Sequence, residues 1–175
     1  MAADLTPVRY FLDTEFVEDG ETIMPISLAL VQETAVGVHR ELYLEYQFDE
    51  EKAEAHDFVR ENVLPHLRGQ ERYTRAQAAE RIQHFTLRPG EQPEFWAYFA
   101  SYDWVLLCQT FGTMLGMPHG MPHLCMDLMQ FWMLRGRPCP RPPMPENAHD
   151  ALADARWNLD FFRQIQASLP PELRI

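Results

Sequence analysis

The strongest constraint on this chain is a change of period. Through the first third, apolar residues recur at every second position, in VRYFLDT at 8–14, ISLALVQ at 26–32 and VHRELYLEYQF at 38–48, with EDG and ETAVG turn signals between them. Three strands joined by short turns predict an antiparallel meander. From residue 50 the step lengthens to three and four. EEKAEAHDFVREN at 50–62 is charged and amphipathic, and TRAQAAERIQHF opens with Thr74 three residues before Gln77, the spacing of a capping box. EFWAYFA at 94–100 then reads as an aromatic strand, followed by a helix from about Asp103 to Gly112. HLCMD at 123–127 reads as a short buried strand and LMQFWMLR as its helix, while the proline-rich run at 135–147 cannot remain helical. The last helix is expected from about His149 to Ser168. Leu152, Ala155, Leu159, Phe162 and Ile165 form its apolar stripe, and Pro170 and Pro171 end it.

This order predicts an α/β fold: a mixed five-stranded sheet, three antiparallel strands extended by two parallel ones, with helices on its faces. It is compatible with a ribonuclease-H-like architecture. At 175 residues a single domain is expected. No run approaches the ~20 apolar residues of a membrane span, and Arg9 and Asp13 precede any signal-peptide core, so a soluble cytoplasmic protein is expected. Cys108, Cys125 and Cys139 fit neither a disulfide framework nor a zinc knuckle, and the first two read as core fillers. A net charge of −11 argues against a protein that coats nucleic acid by neutralising phosphates. It leaves room for an enzyme that meets an anionic substrate through bound metal.

The acids are not evenly distributed. Asp13 and Glu15, two apart at the end of a strand, point to one face, where their repulsion would raise a pKa unless a hard cation lay between them. Asp103, after the aromatic strand, either caps its helix or faces a site at the strand end. Asp154 is flanked by Ala151, Ala153 and Ala155, small enough to let a helix acid approach the sheet; a solvated acid is the alternative. His149 stands five residues earlier, about 140° away around a regular helix, so it can reach Asp154 only from the helix mouth or the loop before it. A histidine ordinarily titrates near neutrality and suits removal of a proton from water. Asp150 is expected to cap the helix or face solvent.

The segments DTEF at 13–16, YFASYDW at 98–104 and HDALADA at 149–155, in that order, resemble the DEDDh family of 3′ to 5′ exonucleases. The flanking YFLDTEFVEDGETIMPISLALV and NAHDALADARW look most like the small single-domain mycobacterial-type 3′ to 5′ exoribonucleases, over about residues 8–168. The resemblance implies that Asp13, Glu15, Asp103 and Asp154 hold two divalent cations, Mg²⁺ with Mn²⁺ as a substitute, and that His149 is the general base. It implies hydrolysis of single-stranded RNA or 3′ overhangs to nucleoside 5′-monophosphates, with DNA as the alternative substrate. Thr14, Phe16, Ile23, Trp96 and Tyr102 are the expected substrate contacts, and Trp104 is expected to pack under its helix.

Three further features bear on partners. Arg135, Arg137 and Arg141 form a local excess of positive charge before His149 that either guides the strand or is a solvated loop. Met114, Met117, Met121 and Met126 fit a homodimer interface or a core equally. His119 and His123 have the spacing of a helical zinc pair, but Gly120 and Pro122 between them oppose helix. A phosphatase with Asp13 as nucleophile lacks its second Asp and a basic clamp. An inactive nucleic-acid-binding module of the same fold is the remaining alternative.

Overall fold

The computed structural model describes residues 5–34 and 40–175. The meander forms as the alternation predicts, from β1 (Thr6–Glu18), β2 (Ile23–Gln32) and β3 (Arg40–Tyr46), each antiparallel to the next. The first two residues of the expected third strand lie outside the described residues. β5 (Glu91–Ala97) adds to β1 in parallel and β6 (Cys125–Asp127) adds to β5 in parallel.

Among the described residues the sheet has six strands, not five, in the order β4-β3-β2-β1-β5-β6. The extra strand, β4 (Arg72–Tyr73), pairs in parallel with Glu45 and Tyr46. Two residues are too few to display a two-residue period.

The helices differ from expectation at their ends, where side chains rather than periodicity decide. The expected helix over 50–62 is two, α1 (Glu50–Ala55) and α2 (Asp57–Asn62), because His56 leaves helical geometry and its Nδ1 accepts from the Val59 amide to start the second. α3 (Arg75–Thr86) carries the predicted capping box between Thr74 and Gln77. β5 ends at Ala97, short of residue 100, and α4 (Ser101–Thr110) begins two residues before Asp103. The Asp127 carboxylate accepts from Ala100 N–H at 2.8 Å and from Gln130 N–H at 2.8 Å, holding the starts of α4 and of α5 (Leu128–Leu134) together. α6 (Ala151–Ser168) begins after Asp150, which caps it by accepting from Leu152 N–H and Ala153 N–H.

Side-chain alternation on β1 divides the core. Tyr10 and Leu12 face a layer that includes α3 and α4, whereas Phe11 faces α6, whose Leu152, Ala155, Leu159, Phe162 and Ile165 are all buried. A third cluster, of Val17, Ile26, Ala53, Val59 and Val63, seats α1 and α2 over the end of the β1–β2 pair. Cys108 is buried, Cys125 half-buried against the first layer and Trp104 packed against Phe95 at 5.7 Å. Of the methionines singled out between residues 114 and 126, Met117 and Met121 are core residues and Met126 packs on the second layer, leaving Met114 exposed. Among the described residues no helix is long and apolar enough to cross a membrane.

Candidate active site

The carboxyl ends of β1 and β5 open into a cleft of about 490 Å³ that Asp13, Thr14, Glu15, Asp103, His149 and Asp154 all line. Strand geometry explains how acids remote in sequence meet. Asp13 and Glu15 continue the odd-numbered face of β1 toward α6, which carries Asp154 in its first turn, while Thr14 points to the opposite layer, where its hydroxyl donates to Asp103 Oδ1 at 2.7 Å. β1 therefore runs between the two helices that supply the other acids. The register of β1 on β2 shifts between Glu15 and Phe16, where Ile26 is an extra residue of β2, so a bulge in the partner strand faces the end of the acid pair. One turn beyond Asp154, buried Asn158 donates its Nδ2 to the Leu12 carbonyl at 2.9 Å and fixes α6 against the strand just before Asp13.

His149 lies outside α6, at φ +71°, a conformation that L residues seldom adopt. Its amide donates to Asp154 Oδ2 at 2.7 Å, and its ring meets Phe58 edge-on at 4.9 Å. Asp150, the competing acid, is taken by the helix cap and by Arg68 at 3.3 Å.

The electrostatics are those of buried, mutually repelling acids. Burial pushes the Glu15 carboxyl up to about 8, with Asp154 and Asp103 adding repulsion. Burial lifts Asp103 to about 7 in spite of the Thr14 hydrogen bond. Asp13 is driven well above its ordinary value by burial first and then by Asp103 and Glu15; Asp154 is raised by burial against the opposing His149 amide. Asp154 Oδ1 is buried and, among the described residues, has no hydrogen-bond partner. Glu15, His149 and Asp154 each offer a ligand atom within 4.8 Å of the others. Anionic oxygens crowded in this way, one of them orphaned, suit hard divalent cations, which make the ionised form favourable at every one of them.

Of the expected substrate contacts, Phe16 and Tyr102 line the cleft and stack nearly parallel, their rings 5.4 Å apart. Trp96 is a correction: it is 0% exposed, wedged against Phe131 and Phe162, with its indole N–H on Glu94, because it pairs with Phe11 on β1 and shares that residue's face toward α6. Ile23 is a second correction. It pairs with Glu18 at the start of β2 and packs on the core without lining the cleft. Phe58, Phe99, Met144 and Trp157 line the cleft unforeseen. Only Asn158 had a readable signal, four residues after Asp154 and so on the same helix face.

Residues 8–166 match the Rv2179c-like family, described as a 3′-5′ exoribonuclease Rv2179c-like domain. The chain belongs to this family. Two Mycobacterium tuberculosis relatives, the 3′-5′ exoribonucleases Rv2179c (strain H37Rv) and MT2234.1 (strain CDC 1551), are each 41% identical over 167 residues, covering 92% of this chain and 95% of the relative. Among solved structures, a zinc-bound form of Escherichia coli exonuclease I with single-stranded DNA superposes with a TM-score of 0.60 at 16% identity, over 95% of this chain. The same enzyme with a dT13 oligonucleotide gives 0.62 at 14% identity, over 93% of this chain. The chain spans only 42% of either exonuclease I chain, and that likeness supports the shared ribonuclease-H-like fold.

Proposed function

We propose that this family member is a metal-dependent 3′ to 5′ exoribonuclease that hydrolyses single-stranded RNA or 3′ overhangs and releases nucleoside 5′-monophosphates. The observation that carries the reading is the convergence of Asp13, Glu15, Asp103 and Asp154 with His149 in one cleft. RNA is the favoured substrate because the two mycobacterial relatives are named exoribonucleases; DNA is the alternative.

Asp13, Glu15, Asp103 and Asp154 would hold two divalent cations, Mg²⁺ or in its place Mn²⁺. Bound there, such ions polarise the phosphodiester and acidify water. An imidazole nitrogen of His149 takes the proton from the attacking water, and the bond from phosphorus to the 3′ oxygen of the next nucleotide breaks. Phe58 limits the orientations open to that ring. Thr14 holds Asp103 in place by its hydroxyl, and the Phe16–Tyr102 stack offers an aromatic face to the terminal base. In the same reading the protein works in the cytoplasm as a homodimer, whose mass in light scattering would be twice that of one chain.

Incubating 3′-labelled and 5′-labelled RNA with Mg²⁺ tests the reading. Stepwise shortening from the 3′ end, lost in Asp13→Ala and His149→Ala, is expected. Internal cuts, or full activity of Asp13→Ala, would reject it.

A further inference from the structure

A chain of charge −11 with four acids on its cleft floor must hold the substrate's remaining phosphates without help from that floor. Among the described residues, no Lys or Arg lines the cleft itself. The cleft shares Tyr98, Met144 and Trp157 with a second hollow of about 270 Å³ whose other walls are Arg141, Pro142 and Pro143. Arg141 is exposed and, among the described residues, has no carboxylate within ion-pair distance, whereas Arg68 and Arg156 are engaged by Asp150 and Glu41. Its neighbours in the loop are engaged otherwise: Arg135 lies over Phe131 and Arg137 over Trp132.

Arg141 is also held in place. Its Nη1 donates to the Tyr98 hydroxyl at 2.7 Å, and the Tyr98 ring is fixed edge-on by Phe99 at 4.5 Å and Trp157 at 5.0 Å. The loop is pinned at three carbonyls, Cys139 by the Trp132 indole, Pro140 by Gln164 and Pro143 by the Trp157 indole. Its prolines restrict the backbone further. A guanidinium so prepared keeps free N–H groups in a fork suited to phosphate oxygens, and the Tyr98 O–H, accepting from Arg141, still has its own proton to donate.

Building on the exonuclease reading, we infer that Arg141, oriented by Tyr98, binds the phosphate of the first linkage upstream of the scissile one. Arg141 is thus a substrate-binding residue and Tyr98 its positioning residue.

The test compares an RNA tetramer with the same tetramer carrying an uncharged methylphosphonate at that linkage. In the wild type the modification is expected to raise KM about tenfold and change kcat less than twofold. Arg141→Ala should show the raised KM on unmodified RNA and be indifferent to the methylphosphonate. Arg141→Lys should recover part of the difference, and Tyr98→Phe, which keeps the packed ring, should fall between. Equal sensitivity of wild type and Arg141→Ala to the methylphosphonate would overturn the inference alone. A wild type inert on both tetramers would overturn the exonuclease reading and this inference with it.

Discussion

Replacing Glu15 by Gln should make the metal-free protein more stable while destroying its function. The Glu15 carboxyl titrates ordinarily near 4.5 and is lifted to about 8 in the fold. Because the folded value is the higher, the folded chain binds this proton more tightly than the unfolded chain. The corresponding stability is fully present below about pH 4.5 and is lost as pH rises through about 8. The displacement sets an upper bound of about 5 kcal/mol on the cost of ionising Glu15 in the fold. Water entering the open cleft and shared titration with Asp154 and Asp103 reduce this to on the order of 2 kcal/mol. Gln keeps the shape and carries no charge, so it escapes that loss.

The assay is thermal unfolding in EDTA across pH. A chain of this size shifts by roughly 2–4 °C per kcal/mol, so Glu15→Gln should melt roughly 4–8 °C above the wild type at about pH 9 and within ~1 °C of it at about pH 4.5. Saturating Mg²⁺ should restore the wild type at high pH and leave the variant nearly unmoved. A difference independent of pH, or a variant less stable than wild type throughout, would refute the claim that burial and neighbouring acids set this carboxyl.

His149→Ala should lower single-turnover hydrolysis by about 10²–10⁴. Because φ there is +71°, His149→Gly should unfold about 1 kcal/mol later than His149→Ala in urea, with the same loss of rate. Asn158→Ala removes a buried bond to Leu12 and should destabilise by roughly 1–3 kcal/mol in denaturant titration. Thr14→Val withdraws the hydrogen bond that holds Asp103 down, so its carboxyl should rise above about 7. The Mg²⁺ needed for half-maximal rate should then increase at neutral pH and return toward wild type in alkali, and an unchanged metal titration would contradict this.

The meander, the capping box at Thr74 and the α6 stripe were legible because each rests on a local period or a local pair of residues. The two-residue β4 and the break at His56 were not, since one is too short for a period and the other is made by a histidine side chain in place of Gly or Pro. The acids stood out in sequence because DxE and HxxxxD are compact patterns. Their convergence needed more: Thr14 pointing opposite to its neighbours, Asn158 tying α6 to Leu12, and the register shift after Glu15. The layer that Trp96 enters was not legible, because its pairing with Phe11 on β1 decides it.

The positions where the backbone is strained locate the site as well as its charges do. Among the described residues, the non-glycine residues at positive φ are Phe99, Arg137 and His149, and Phe99 and His149 both line the cleft. Each sits where an element was expected to run on, Phe99 past the end of β5 and His149 before the start of α6. At both places a carboxylate enforces the departure: Asp127 takes the Ala100 amide, one residue after Phe99, and Asp154 takes the His149 amide. Left to propensity, a strand through Phe99 would bury it and a helix through His149 would swing its ring about 140° from Asp154. The strain, on the order of 1–2 kcal/mol at each residue, is offset by those hydrogen bonds and leaves an aromatic ring and an imidazole facing the acids. An acid that organises the backbone on one oxygen and, among the described residues, leaves the other without a partner, as Asp154 does, joins the strained loop to the acids of the cleft.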